Sequence, residues 1–149
     1  MTTNPLDMVR KFMLTMKQSC PWKAGLPDSH TRELRHELIA EENDELRDSQ
    51  TIKEALDGIC DLLYVVHGAA IAYGFTKEQV DGAFAEVHRS NMTKLWTNEE
   101  RDTITDKTWT CTHTPQGVES DRCWLVKNAA GKVIKSPSYS PANLKPFLQ

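Results

Sequence analysis

The chain has 149 residues, 39% of them hydrophobic and 26% charged, the proportions of one ordinary globular domain, which excludes a disordered or collagen-like chain. Eighteen Lys and Arg against 21 Asp and Glu leave a formal net charge of -3, so no basic excess points to a nucleic-acid polymer as partner. Cys20, Cys60, Cys111 and Cys123 are widely spaced and contain no CxxC pair, which argues against a disulfide framework or a zinc finger and leaves free thiols as the expectation.

Residues 1–16 lack the basic start and continuous apolar block of a secretion signal, so a cytoplasmic location is expected. Asn4 can cap a first helix with Pro5 at its first position. Leu6, Val9, Phe12, Met13 and Met16 continue it at helical spacing to about residue 18. The Cys20-Pro21-Trp22 run and the stretch from Gly25 to Pro27 then break it. A second helix is predicted over residues 29–48 and a third over 51–73, where Gly74 supplies the stop. The charge-poor stretch 59–75 contains Asp61 and His67 and falls short of the ~20 apolar residues that cross a bilayer, so it reads as a buried helix and no membrane is expected. Thr76 can cap a fourth helix, with Glu78 and Gln79 in its first turn, ending near residue 94.

Beyond Trp96 the texture changes. Residues 123–126 and 132–134 are short β-prone pieces flanking Asn128 to Gly131, the pattern of a small hairpin. Residues 136–146 hold three prolines and read as an extended tail. The expected fold is therefore all-α, a four-helix unit with a small C-terminal β-hairpin. A helical domain would occupy residues 1–96, and a β-containing appendage packed on that domain residues 97–149. The segment 97–126 carries no recognisable chemistry.

The acids of the second and third helices stand where apolar residues are expected. At about 100° per residue, Glu41, Glu42 and Glu45 fall inside or beside the arc marked by Leu34, Leu38, Ile39 and Leu46. On the third helix, Asp57 and Asp61 share the narrow stripe left between two apolar faces. Converging buried carboxylates must protonate, pair with bases or hold a cation. Arg35 is the local pairing partner on offer and cannot neutralise five. Oxygen ligands without Cys or His select a hard cation, usually Mg²⁺, with Mn²⁺ as a substitute.

The runs Glu41-Glu42-Asn43-Asp44-Glu45-Leu46 and Asp57-Gly58-Ile59-Cys60-Asp61-Leu62-Leu63-Tyr64 resemble the EExxE(L) and second acidic motifs of the all-α nucleoside triphosphate pyrophosphohydrolases. That superfamily includes MazG, dimeric dUTPases and phosphoribosyl-ATP pyrophosphohydrolase. Many members carry ExxD in the second motif, whereas Gly58 stands three before Asp61 here and Asp57 is the substitute acid. The run from Glu86 to Leu95 is similar to an EVHxSNMxK segment, and Gly131 to Lys135 to a closing GKVxK segment, of the phosphoribosyl-ATP branch. Cys20-Pro21-Trp22 is similar to a CPW segment of MazG proteins.

The resemblance implies Mg²⁺-dependent cleavage of the α-β phosphate bond of a nucleoside triphosphate, and assembly as a homodimer or homotetramer. Under it, Glu42, Glu45 and Asp61, then Asp57, are the expected metal ligands. Glu41 and Glu42 are the expected catalytic carboxylates, with Glu41 or Asp57 free to orient or deprotonate the attacking water. Arg89, Lys94, Lys132 and Lys135 are candidate phosphate partners, Asn91 a base or sugar partner, and Trp22 a stacking surface. Two other readings stand beside this one: phosphoribosyl-ATP cleavage, and a non-catalytic helical module whose acids hold a structural cation.

Overall fold

The computed structural model describes residues 4–114 and 121–148. Its contacts divide the chain into two compact units, one ending at Asp81 and the other running from Gly82 to Phe147.

In the first unit, helix α1 spans Pro5–Thr15, α2 Ser29–Asp48 and α3 Ile52–Ala72, and α4, Lys77–Met92, begins there. Local chemistry sets each start. Asn4 accepts the Leu6 N–H at 2.9 Å, and Asp28 takes the Thr31 N–H at 2.9 Å. Thr51 and Glu54 close a reciprocal capping box on α3, as Thr76 and Gln79 do on α4. Helix α1 stops short of the predicted end. Lys17 enters the left-handed region at φ 57°, and the Lys17 and Gln18 N–H groups turn back to the Leu14 and Met13 carbonyls.

The core of this unit is small: Leu6, Val9 and Met13 of α1 against Ile71 of α3, each buried aliphatic side chain contributing about 1.5–3 kcal/mol. Arg10 is buried among them and donates from Nη2 to the Phe75 carbonyl at 2.9 Å. Gly74, at φ +79°, is held where a Cβ would overlap the Lys23 carbonyl, and the Gly25 N–H donates to the Tyr73 carbonyl at 3.0 Å. The segment after α1 is thereby tied to the end of α3.

The expectation of a buried third helix is corrected. Only Gly58, Gly68, Ile71 and Ala72 of α3 are buried, while Leu56, Ile59, Leu63 and Val66 stand 43–62% exposed. Helices α1 and α2 pack along two stripes of α3 and leave its remaining apolar face to solvent. By length and composition alone α3 passes for a membrane-crossing helix. Helix α2 buries no residue fully.

The second unit holds the rest of α4, strand β1 at Trp96–Thr97, helix α5 at Asn98–Asp102, strands β2 at Thr110–His113 and β3 at Arg122–Lys127, and a closing 3-10 turn at Lys145–Leu148. The sheet is antiparallel in the order β1-β3-β2, so the sequence-predicted hairpin is part of something larger. Its turn exists, with Asn128 and Lys132 bonded at 2.9 Å and Gly131 at φ +78°, but the returning stretch makes only the Lys127–Val133 bridge. Strands β1 and β2 supply the ladders instead. Val126 and Trp96 form the centre of this unit, with the Trp96 indole donating to the Ile134 carbonyl at 2.8 Å. Residues 115–120, inside the segment without recognisable chemistry, lie outside the described residues.

Candidate active site

Helices α2 and α3 run antiparallel in a register fixed by two glycines of α3. A Cβ on Gly58 would meet Leu46 Cα at 3.1 Å, and one on Gly68 would meet Arg35 Nη1 at 3.1 Å. This register brings Glu42 and Asp61 abreast. Partial burial first, then the charges of Glu45, Asp61 and Glu41, push the Glu42 carboxyl upward from its ordinary value. Three of the other four acids singled out from the sequence, Glu41, Glu45 and Asp61, are thus within electrostatic reach of Glu42.

The fifth, Asp57, lines a groove of about 410 Å³ with Glu45, Asp48, Glu54, Gly58 and Asp61. Neighbouring acids in the same region are already engaged. Asp44 and Asp48 pair with Arg47 at 2.7 and 2.8 Å, and Glu54 accepts the Gln50 and Thr51 N–H groups. Glu41, Glu42, Glu45, Asp57 and Asp61 take part in no hydrogen bond or ion pair among the described residues.

Two expectations change here. The carboxylates are not deeply buried: Glu42 is half-buried and the other four are exposed, because their helix faces open toward solvent. Arg35 does not pair with them. It donates from Nη2 to Gln18 Oε1 at 3.2 Å. The donor set, oxygen only and bearing excess negative charge, fits a hard divalent cation, although no three of these side chains close into an ion-sized group among the described residues.

Trp22 is 69% exposed with the Arg10 guanidinium 4.1 Å over its ring, so one face already carries a cation. The β2–β3 register sets Cys111 opposite Val126 and His113 opposite Trp124, which puts Cys123 on the other face of the sheet and denies these residues a shared zinc site.

The basic candidates lie in the second unit. Lys94 Nζ donates to Asn91 Oδ1 at 2.8 Å, and Lys135 Nζ stands 4.4 Å over the Tyr139 ring. The Ser90 hydroxyl, then Lys135, Lys94 and Arg89, draw the Tyr139 phenol below its usual value. Three of the four predicted bases therefore surround one tyrosine, which sequence reading missed. Lys132 is exposed and outside this group. Arg89 is held by Glu86 at 2.7 and 2.8 Å and donates to the Ser140 hydroxyl and the Pro141 carbonyl, each at 3.3 Å.

The Arg89 fork and the Asn143 N–H hold the Glu86 carboxyl down at about 2, from 4.5. A depressed carboxylate stabilises the fold above its unfolded value, and that stabilisation disappears as pH falls through the folded value. Glu86→Gln should therefore lower the melting temperature at pH 7, with its deficit against the parent shrinking between about pH 4.5 and pH 2, as followed by circular dichroism.

A family model described as phosphoribosyl-ATP pyrophosphohydrolase matches residues 9–91, over half of the chain and all five acids. The chain belongs to this family. The phosphoribosyl-ATP pyrophosphohydrolase family is part of the MazG-like superfamily, so the resemblance drawn from the acidic motifs holds and the chain is a pyrophosphohydrolase. The match ends before the tail bearing Lys132 and Lys135 and before the whole three-stranded sheet. No curated protein gives a significant match.

Proposed function

We propose that the protein is a Mg²⁺-dependent pyrophosphohydrolase that splits a nucleoside triphosphate, ribo or deoxy, into monophosphate and pyrophosphate, as in nucleotide-pool sanitation. One observation carries the reading: Glu41, Glu45 and Asp61 gather around Glu42 without a basic partner among the described residues, in a chain of the pyrophosphohydrolase family. Unpaired carboxylates repel one another, and a divalent cation relieves that repulsion.

Glu42, Glu45, Asp57 and Asp61 would hold the ion, with Mn²⁺ as a substitute. When bound, it neutralises phosphate charge and lowers the pKa of water. Glu41, adjacent in the chain and free of partners, orients the attacking water and accepts its proton. The new bond joins water oxygen to the α-phosphorus, the bridging α-β bond breaks, and pyrophosphate leaves. Lys94, Lys135, Lys132 and Arg89 are the proposed phosphate partners, Lys acting as a point charge. Asn91 and Trp22 are proposed to contact the nucleoside.

The test is release of pyrophosphate, against orthophosphate, from a panel of (d)NTPs and phosphoribosyl-ATP, with Mg²⁺ and with EDTA. Metal-dependent pyrophosphate from an ordinary triphosphate supports the reading. Turnover of phosphoribosyl-ATP alone moves the chain to that substrate, and binding of Mg²⁺ without any turnover makes it a structural module.

The exposed apolar face of α3 supports assembly into a homodimer or homotetramer, and Asp57 and Asp61 on the same helix disfavour a lipid environment. Light scattering should give a mass above one chain, and Leu63→Glu, on the 54% exposed Leu63, should lower that mass. A monomeric parent would overturn the assembly.

A further inference from the structure

The first unit contains a second concavity, of about 520 Å³, between the segment following α1 and the N-terminal half of α2. Its apolar walls include Pro21, Leu26, Pro27 and Leu34, and its polar groups include Gln18, Lys23 and Arg35. Lys23 and Arg35 only donate, beside the hydroxyls of Ser19 and Thr31. Arg35 Nε is shielded from solvent and has no acceptor among the described residues. Gln18 presents its oxygen to Arg35 Nη2 at 3.2 Å, which leaves its amide N–H groups as donors. Asp28, the acid of the cleft, is occupied by the Thr31 N–H at 2.9 Å and hydroxyl at 2.8 Å.

A buried donor left without an acceptor costs free energy until a ligand supplies one. Mostly apolar walls with a few convergent polar groups describe a small-molecule site more than a surface for a free anion. The position is also informative. Arg35 and Glu42 are seven residues apart on α2, on one face and about 10.5 Å apart along the axis, comparable to the reach from the α-phosphate of a nucleotide to the far edge of its base. Gly68 opposite Arg35 leaves the guanidinium room to lie in the helix interface.

We propose that this cleft takes the base of the substrate, and that Arg35, supported by Gln18, selects guanine, whose O6 and N7 are adjacent acceptors, over adenine, which presents an exocyclic amine in that place. The assignment rests on the triphosphate reading above and names its specificity element. An arginine fork matches the O6 and N7 acceptors of guanine, whereas the N6 amine of adenine would face donor against donor.

Calorimetric titration with dGMP, dAMP and inorganic pyrophosphate tests it independently of turnover. The guanine nucleotide should bind at least about tenfold more tightly than the adenine nucleotide. Arg35→Met should erase the difference, and Arg35→Lys, which keeps the charge and loses the fork, should erase most of it. If Arg35→Met fails to fold, Gln18→Ala on the exposed Gln18 should weaken dGMP binding alone. Equal affinity for dGMP and dAMP, no binding of either, a preference that survives in folded Arg35→Met, or Arg35-dependent binding of pyrophosphate would each overturn the inference. Loss of (d)NTP hydrolysis with the base preference intact would instead count against the catalytic reading.

Discussion

Glu42→Gln and Asp61→Asn are each expected to cut metal-dependent pyrophosphate release at least about a hundredfold while leaving the fold intact. Each removes one charge from a group in which burial first, and then the repulsion of Glu45, Asp61 and Glu41, raises the Glu42 carboxyl. Without a cation that repulsion opposes folding, so neutralising one member does not weaken the structure. With a cation the same change removes a ligand. The signature is therefore lost turnover without a lower melting temperature, and with a weaker Mg²⁺-induced rise in it. Asp44→Asn is the control: Asp44 lies within the same acidic run but is exposed and paired to Arg47 at 2.7 Å, and it should change turnover less than about twofold. Full activity in both Glu42→Gln and Asp61→Asn would sink the site, and equal loss in Asp44→Asn would reduce it to bulk acidity.

Much of the first unit was legible because local chemistry determined it. The caps of α1 and α4 at Asn4 and Thr76 were readable directly, and the starts of α2 and α3 follow from Asp28 and Thr51, all four side chains bonding within a few residues of themselves. The acids were legible because a charge on an apolar arc contradicts the periodicity around it. What escaped depended on distant partners. The left-handed Lys17 that ends α1 has no glycine to announce it. Strand β2, wholly exposed, shows no alternation of apolar and polar residues, and β1 is two residues long. Arg35 was read as a counter-charge for the acids because helical spacing gives a direction and not a partner. Gln18, 17 positions away, is supplied by the chain folding back through the residue 18–28 segment.

Gly58 links the family pattern to this particular packing. Where the resembling motif of many superfamily members has an acid three residues before the aspartate matched by Asp61, this chain has glycine, and Gly58 is buried against the backbone of Leu46. A Cβ would lie 3.1 Å from Leu46 Cα and 3.2 Å from its Cβ, contacts that a rigid helix backbone cannot relieve by a rotamer change. Alanine is the better helix former by about 0.5–1 kcal/mol, but overpacking of this kind costs about 1–3 kcal/mol. Gly58→Ala should therefore lower the urea midpoint despite its gain in helix propensity. Gly58→Glu restores the acid of the related motif and should nevertheless be worse on both counts. It must part α2 from α3, which carries Glu42 and Glu45 away from Asp61, so stability and turnover should fall together. A folded Gly58→Glu variant with undiminished pyrophosphate release would show that the tight crossing is dispensable. Asp57 would then lose its standing as the acid this chain uses because position 58 has no room for one.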